Sequence, residues 1–189
     1  MNRAHILFLA AASALLAAPA FAGTVVPLEH FNSVGLRGGG HITLKHGAVQ
    51  SVTLLKGSTD YTRFTIEHGG GLNIDACNEN CPHNYDLEIE IVSPDIEGVA
   101  IEGGGAIATQ GSFPAQNRLA AAVSGGGNID VSAIDAASVD AAVNGGGRIL
   151  VAASGALNAA VNGGGRIGYR GNPAVSQAVS GGGSVQRVN

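Results

Sequence analysis

The sequence predicts an all-β fold: a chain wound into stacked turns of parallel strands, with glycine-rich corners and a more irregular β region closing its N-terminal end. Three observations predict it. Triple glycines begin at Gly38, Gly69, Gly103, Gly125, Gly145, Gly163 and Gly181, and the last five are separated by 22, 20, 18 and 18 residues. A near-fixed period of this size marks a repeat architecture. The segments before the glycines, LAAAVS (119–124), VDAAVN (139–144), LNAAVN (157–162) and VSQAVS (175–180), alternate apolar and polar residues, and Ile129, Ile149, Ile167 and Val185 follow one polar residue after them. Alternation with a period of two is the signature of a half-buried strand. Finally, the chain has no Trp and only 4% aromatic residues, so Ala, Val, Ile, Leu and Gly must fill its interior. A thin, layered core suits them and a thick one does not.

Residues 1–22 stand apart from this pattern. A short basic start (MNRAH), an apolar stretch from Ile6 to Ala17 and an A-x-A-like end at Ala22 have the layout of a cleaved secretory signal peptide. The apolar stretch falls short of the ~20 residues that span a bilayer. No cysteine lies near the cleavage point, which argues against a lipid-anchored form. Cleavage leaves 167 residues, removes Arg3 and no acid, and moves the formal net charge from −4 to −5. Nothing in that charge suggests nucleic-acid binding, which calls for a clustered basic surface, and no later stretch could span a membrane as a helix. The expectation is an exported protein, periplasmic or secreted to the cell surface, with one solenoid domain over 23–189.

Within that domain, residues 23–98 form the N-terminal capping region. HITLKH (41–46), SVTLLKG (51–57), RFTIEH (63–68) and LEIEIV (87–92) alternate as strands, but gaps of 31 and 34 residues separate its glycine triplets. These spacings fit hairpins or longer strands packed on the first turns. Residues 99–189 form the regular turns. Eighteen residues at ~3.3 Å each give a path of about 60 Å, hence three sides of roughly 20 Å, with equivalent residues ~4.8 Å apart in successive turns. Glycine reaches positive φ without steric cost, so Gly103, Gly125, Gly145, Gly163 and Gly181 are expected at corners. On the last turn Gln177 and Arg187 enter apolar columns, which reads as a second cap. A calcium-binding nonapeptide roll requires G-G-x-G-x-D; GGGNIDV (125–131) lacks its fourth-position glycine, and the other repeats lack the Asp.

FNSVGLRGGGHITLKHG, GGGLNI, IVSPDIEGVAIEGGGAI, GGGRIGYRGNPAV and VSGGGSV, in that order from Phe31 to the end, resemble the bacterial family of putative auto-transporter adhesin head GIN domains. The resemblance implies a right-handed parallel β-helix-like fold in secreted or envelope proteins. It implies no activity.

Candidate chemistry is sparse. Cys77 and Cys81 in DACNENCPHN read first as a disulfide, as paired cysteines do outside the cytosol; a metal site with His83 and His68, or free thiols, are the alternatives. Arg37, His41, Lys45 and His46 make a basic strand, and Asp86, Glu88 and Glu90 an acidic one, expected to face solvent and pair across the sheet. Arg148 and Arg166 share one column and are candidate contacts for an acidic glycan or phosphate. Asp130, Asp135 and Asp140 are spaced five apart, but glycoside hydrolysis needs facing carboxylates. No catalytic, cofactor or metal residue is assigned, and no cofactor is expected. The function expected is a non-enzymatic, adhesin-like envelope or surface scaffold that binds an unidentified surface protein or glycan and is open to self-association. A carbohydrate-binding module is the alternative, with a polysaccharide-processing enzyme further behind.

Overall fold

The structure is a computed structural model and describes residues 23–188. The signal-peptide reading of residues 1–22 lies outside the described residues. All regular elements described are strands: β1 (Thr24–Val26), β2 (Ser33–Gly38), β3 (His41–His46), β4 (Ser51–Lys56), β5 (Arg63–Glu67), β6 (Gly71–Asp75), β7 (Glu88–Ser93), β8 (Gly98–Gly103), β9 (Ala106–Gln110), β10 (Gln116–Gly125), β11 (Asn128–Gly145), β12 (Arg148–Gly163), β13 (Arg166–Arg170), β14 (Ala174–Ser180) and β15 (Ser184–Arg187). They join in one mixed sheet of 15 strands.

The pairing sorts them into two ladders that meet at the glycine triplets. Strands that precede a corner (a glycine triplet, or for β6 the segment 76–87) align as β6, β2, β8, β10, the end of β11, the end of β12, and β14, all parallel. Strands that follow one align as β7, β3, β9, the start of β11, the start of β12, β13 and β15, again all parallel. The long strands β11 and β12 each run from the second ladder of one turn into the first ladder of the next.

Register is set by the alternation. Ile74, Leu36, Ile101, Val123, Val143, Val161 and Val179 stand opposite one another in sequence down the first ladder. Ile89, Ile42, Ile107, Ile129, Ile149, Ile167 and Val185 do so down the second. All but the last member of each column are buried. A slip of one residue would turn a whole column to solvent. At ~1.5–3 kcal/mol for each aliphatic side chain fully buried, these columns oppose such slips strongly. The turn 125–145 has two more residues than the turn 145–163. The excess is absorbed as irregularities between Asp130 and Asp135 and between Ala136 and Ser138, and register is restored by Val139↔Leu157.

The corners explain the triplets. At Gly145 φ is 120°, and an added Cβ would stand 2.6 Å from the carbonyl oxygen of Gly125. At Gly147 a Cβ would stand 2.4 Å from Val123 Cγ1 and 2.7 Å from the carbonyl oxygen of Gly127. Around Gly146 nothing lies within 4 Å. The first and third glycines are therefore required by the approach of the preceding turn, and the middle one is not. The corner backbone continues the ladder: Gly146 N–H donates to Gly125 O at 2.9 Å, and Arg148 N–H to Gly127 O at 2.9 Å.

Among the described residues, the N-terminal region holds one hairpin, β5–β6, and strands that join the parallel ladders directly. β4 and β5 pair antiparallel with the outermost parallel strands β7 and β6, and β1 pairs antiparallel with β4. The intervening strands belong to the stack. β2 and β3 form one turn, and β6 and β7, later in sequence, slot beneath it; β8 then resumes on its other side. The triplet at Gly69 is not a corner. It is the turn of the β5–β6 hairpin, with φ of 108° at Gly69 and 84° at Gly70. In the β6–β7 turn the corner is instead the segment 76–87, docked by Ala76 N–H to Arg37 O at 2.9 Å and His41 N–H to Leu87 O at 2.8 Å.

That segment holds the Cys77–Cys81 disulfide. It is also anchored by Thr62 Oγ1–H donating to Ala76 O at 3.1 Å, and by Tyr85, whose hydroxyl lies 2.7 Å from Thr62 Oγ1 and accepts from Ser58 N–H at 2.8 Å.

The far end is more open than a second cap. Gln177 and Arg187 do sit in register with Ala159 and Tyr169. Among the described residues, however, no strand pairs with the outer edge of β14 or β15, and Val175 and Val179 are 38% and 43% exposed.

Two outcomes are expected in denaturant unfolding. Gly145→Ala loses about 1–3 kcal/mol through its backbone conformation alone, with the clash in addition, whereas Gly146→Ala stays within about 0.5 kcal/mol of the parent. Replacing Cys77 and Cys81 together by Ser costs about 2 kcal/mol or less, because the closed loop is short and the segment keeps its other anchors.

Candidate functional site

Each ladder turns one face outward, and these two faces are the candidate sites. On the first, Gly35, Ala100, Ala122, Ala142, Ala160 and Ala178 align across six turns. Alternate residues of a strand share a face, so polar columns flank this one: Asp140, Asn158 and Ser176 on one side, and Ser124, Asn144, Asn162 and Ser180 on the other. Small side chains between taller ones leave an open groove of about 700 Å³. Its polar edge is partly tied down. Asn158 Nδ2 donates to Asp140 Oδ1 at 2.9 Å, and Arg118 Nε lies 3.9 Å from Asp140 Oδ2.

The second face changes character along the stack. At its N-terminal end the basic and acidic strands lie side by side, as β3 and β7. Lys45 Nζ lies 2.7 Å from Glu90 Oε2, and Lys56 Nζ lies 2.9 Å from Glu88 and 3.5 Å from Asp86. Arg37 is not part of that basic strand: it lies on β2, in the first ladder, and bridges its register neighbours Glu102 and Asp75 at 3.1 and 3.8 Å. The hydrogen bond that Lys56 donates to Glu88, helped by the charges of Glu88 and Asp86, raises the Lys56 pKa above the ordinary lysine value.

At the C-terminal end Arg148 and Arg166 are exposed register neighbours. They line a corner depression of about 520 Å³ with Asn128 and the bare glycine backbone of three turns. Among the described residues neither forms an ion pair with a carboxylate.

The remaining candidates do not converge. Asp130 lies in the second ladder, Asp135 on the connecting side and Asp140 in the first ladder. Asp130 accepts hydrogen bonds from Ser132 N–H at 3.1 Å and Ser132 Oγ–H at 2.8 Å. Cys77 and Cys81 are bonded to each other, and among the described residues no group of three metal-ligating side chains comes together. Sequence reasoning missed Arg170. The signal was available: four residues after Arg166 on one strand places it on the same face.

This is an all-β protein. Residues 115–173 match the family model described as putative auto-transporter adhesin, head GIN domain, so the resemblance read from the sequence stands on the three turns from β10 to β13. Among solved structures, the chain is similar to a putative adhesin from Bacteroides fragilis, at 17% identity and a TM-score of 0.55, over 88% of this chain and 96% of that one. It also matches a putative adhesin from Parabacteroides merdae at 14% identity, TM-score 0.39, over 88% of this chain and 95% of that one. A putative lipid binding protein from Parabacteroides distasonis matches at 18% identity, TM-score 0.38, over 88% and 96%. No curated protein matches the chain. Among the described residues no helix is long and apolar enough to cross a membrane.

The Lys56 cluster sets a sign for alkaline behaviour. A lysine whose folded pKa is raised contributes stability that is fully present below its unfolded pKa and is lost as pH rises through the folded one. Urea unfolding across an alkaline series should therefore show the Lys56 contribution surviving past the ordinary lysine range. In Glu88→Gln the loss should begin at lower pH.

Proposed function

We propose that this protein is an exported, non-enzymatic, adhesin-like scaffold: a right-handed parallel β-helix-like solenoid over residues 23–189, with Gly103, Gly125, Gly145, Gly163 and Gly181 as its corners, that presents its outer faces to a surface protein or glycan. The observation that carries this reading is the alanine column. Six turns hold small residues in strict register, flanked by Asn, Ser and Asp, and together they leave a long open groove. A rigid ladder with hydrogen-bonding rims can accept an extended partner at little conformational cost to itself, since its backbone is already ordered. The match to the adhesin family over 115–173 supports the same class, and the apolar stretch and Ala22 cleavage pattern support export. The dispersal of Asp130, Asp135 and Asp140 over three sides weighs against the polysaccharide-processing reading. The carbohydrate-binding reading is favoured by the Asn144–Asn162 rim and weakened by the scarcity of exposed aromatic platforms.

Labelled protein should bind intact cells or isolated envelope saturably. Ala142→Arg with Ala160→Arg should reduce that binding at least tenfold while the Tm stays within a few degrees, because both side chains point to solvent. Equal binding by the double variant overturns the assignment of this face. Release of reducing ends from a polysaccharide panel by the parent chain overturns the non-enzymatic reading.

A further inference from the structure

The charges of this chain are segregated along the stack. All 14 Asp and Glu residues lie at or before Asp140, while the last 49 residues contain Arg148, Arg166, Arg170 and Arg187 and no acid. Three of these arginines share one surface. Arg148 and Arg166 are register neighbours, one strand spacing of ~4.8 Å apart. Arg166 and Arg170 are alternate outward positions of β13, separated by roughly 13 Å at ~3.3 Å per residue. All three are exposed, and among the described residues none is paired with a carboxylate.

The contrast with the other end of the same face is informative. There Lys45 and Lys56 both face acids, and on the neighbouring first ladder Arg37 likewise has an acid on each side. The nearest acidic positions are Asp130, in the turn adjacent to Arg148 with its carboxylate turned to Ser132, and Asp135, two strands from Arg170 across Ala152; neither is within ion-pair distance of these arginines. Like charges directly opposite in a sheet are destabilising, so Arg148 and Arg166 weaken the free protein slightly and gain from any anion that bridges them. Guanidinium groups take carboxylate, sulfate and phosphate in paired hydrogen bonds.

We propose that Arg148, Arg166 and Arg170 form a binding face for an acidic polysaccharide, laid across β12 and β13 with its carboxylate or sulfate groups on the arginines. The surface between them carries Ala152 and Gly168, with the Leu150 side chain lying beside Gly168, and bare glycine backbone at the corner. It leaves room for a sugar chain to lie against the sheet. Among the described residues it carries no outward aromatic ring, and Leu150 with Val188 is a smaller apolar patch than the amphipathic helix face that interfacial binding requires. The assignment rests on the scaffold reading, and names the ligand class for one of its faces.

The test uses the mature chain and oligogalacturonate of about ten residues, with dextran as the uncharged control, followed by calorimetry or fluorescence anisotropy at two salt concentrations. Expected are binding to oligogalacturonate and not dextran, weakening with salt as screening requires, and at least a tenfold loss in Arg148→Ala with Arg166→Ala. Arg166→Glu should abolish binding while raising the Tm, since it converts a repulsive pair into an attractive one; that readout separates a ligand role from a structural one. Arg63→Ala, on β5 at the opposite end, should bind as the parent does. Equal affinity for oligogalacturonate and dextran overturns the proposal, as does unchanged affinity in the double variant. Tighter binding to phosphatidylglycerol vesicles than to oligogalacturonate overturns it in favour of a membrane surface. Product release is followed in the same samples. Turnover with arginine-dependent binding would overturn the scaffold reading and leave the ligand assignment intact, so the two failures are distinguishable.

Discussion

The structure depends on how closely consecutive turns approach at the glycine corners. There the backbone of one turn lies against the backbone of the last, with room for neither a Cβ at Gly145 nor one at Gly147. Carbonyls at the corner accept from the next turn's N–H groups, so the hydrogen-bond ladder runs around the bend without a break. Buried backbone groups must find partners somewhere. A side chain at either position would push the turns apart and strand these groups. The entropic cost of ordering so much glycine is offset by this continuity, repeated turn after turn.

Once the corners hold register, the rest follows as columns. Inward positions stack aliphatic on aliphatic, so the thin interior packs without Trp and with only a few aromatic rings at its margins. Outward positions stack as well, and there the consequence is functional. A residue type repeated outward becomes a stripe of surface. The alanine column makes a groove, and the arginine pair makes an uncompensated positive spot. A globular fold would scatter the same residues; a stacked one concentrates them.

The two ends are treated differently. At the N-terminal end β4 and β5 reverse direction and pair antiparallel against β7 and β6, which gives the outermost parallel strands partners. At the other end β14 and β15 present free outer edges among the described residues, softened by Gln177 and Arg187 in otherwise apolar columns. Polar and charged residues on an edge are a known brake on uncontrolled strand addition. Acidic and basic residues follow the same division, so the molecule has a balanced, ion-paired end and a basic one.

From the sequence alone came the alternating strands of the later repeats, their inward and outward faces, the disulfide as the leading reading of Cys77 and Cys81, and the shared column of Arg148 and Arg166. Each depends only on period and alternation, which are local and repeated. What the tertiary structure decided was long-range. Gly69–Gly71 and Gly145–Gly147 look alike as text, yet one triplet turns a hairpin and the other a corner, because the choice lies in which strands are available to pair. Alternation tells β6 and β7 which face to bury but not which edge to join, so their insertion beneath β2 and β3 was invisible. Nor could spacing say that β13 runs far enough to carry both Arg166 and Arg170, or that Asp130 turns its carboxylate to Ser132. Those facts depend on where β13 ends and how one side chain turns, which no repeat encodes.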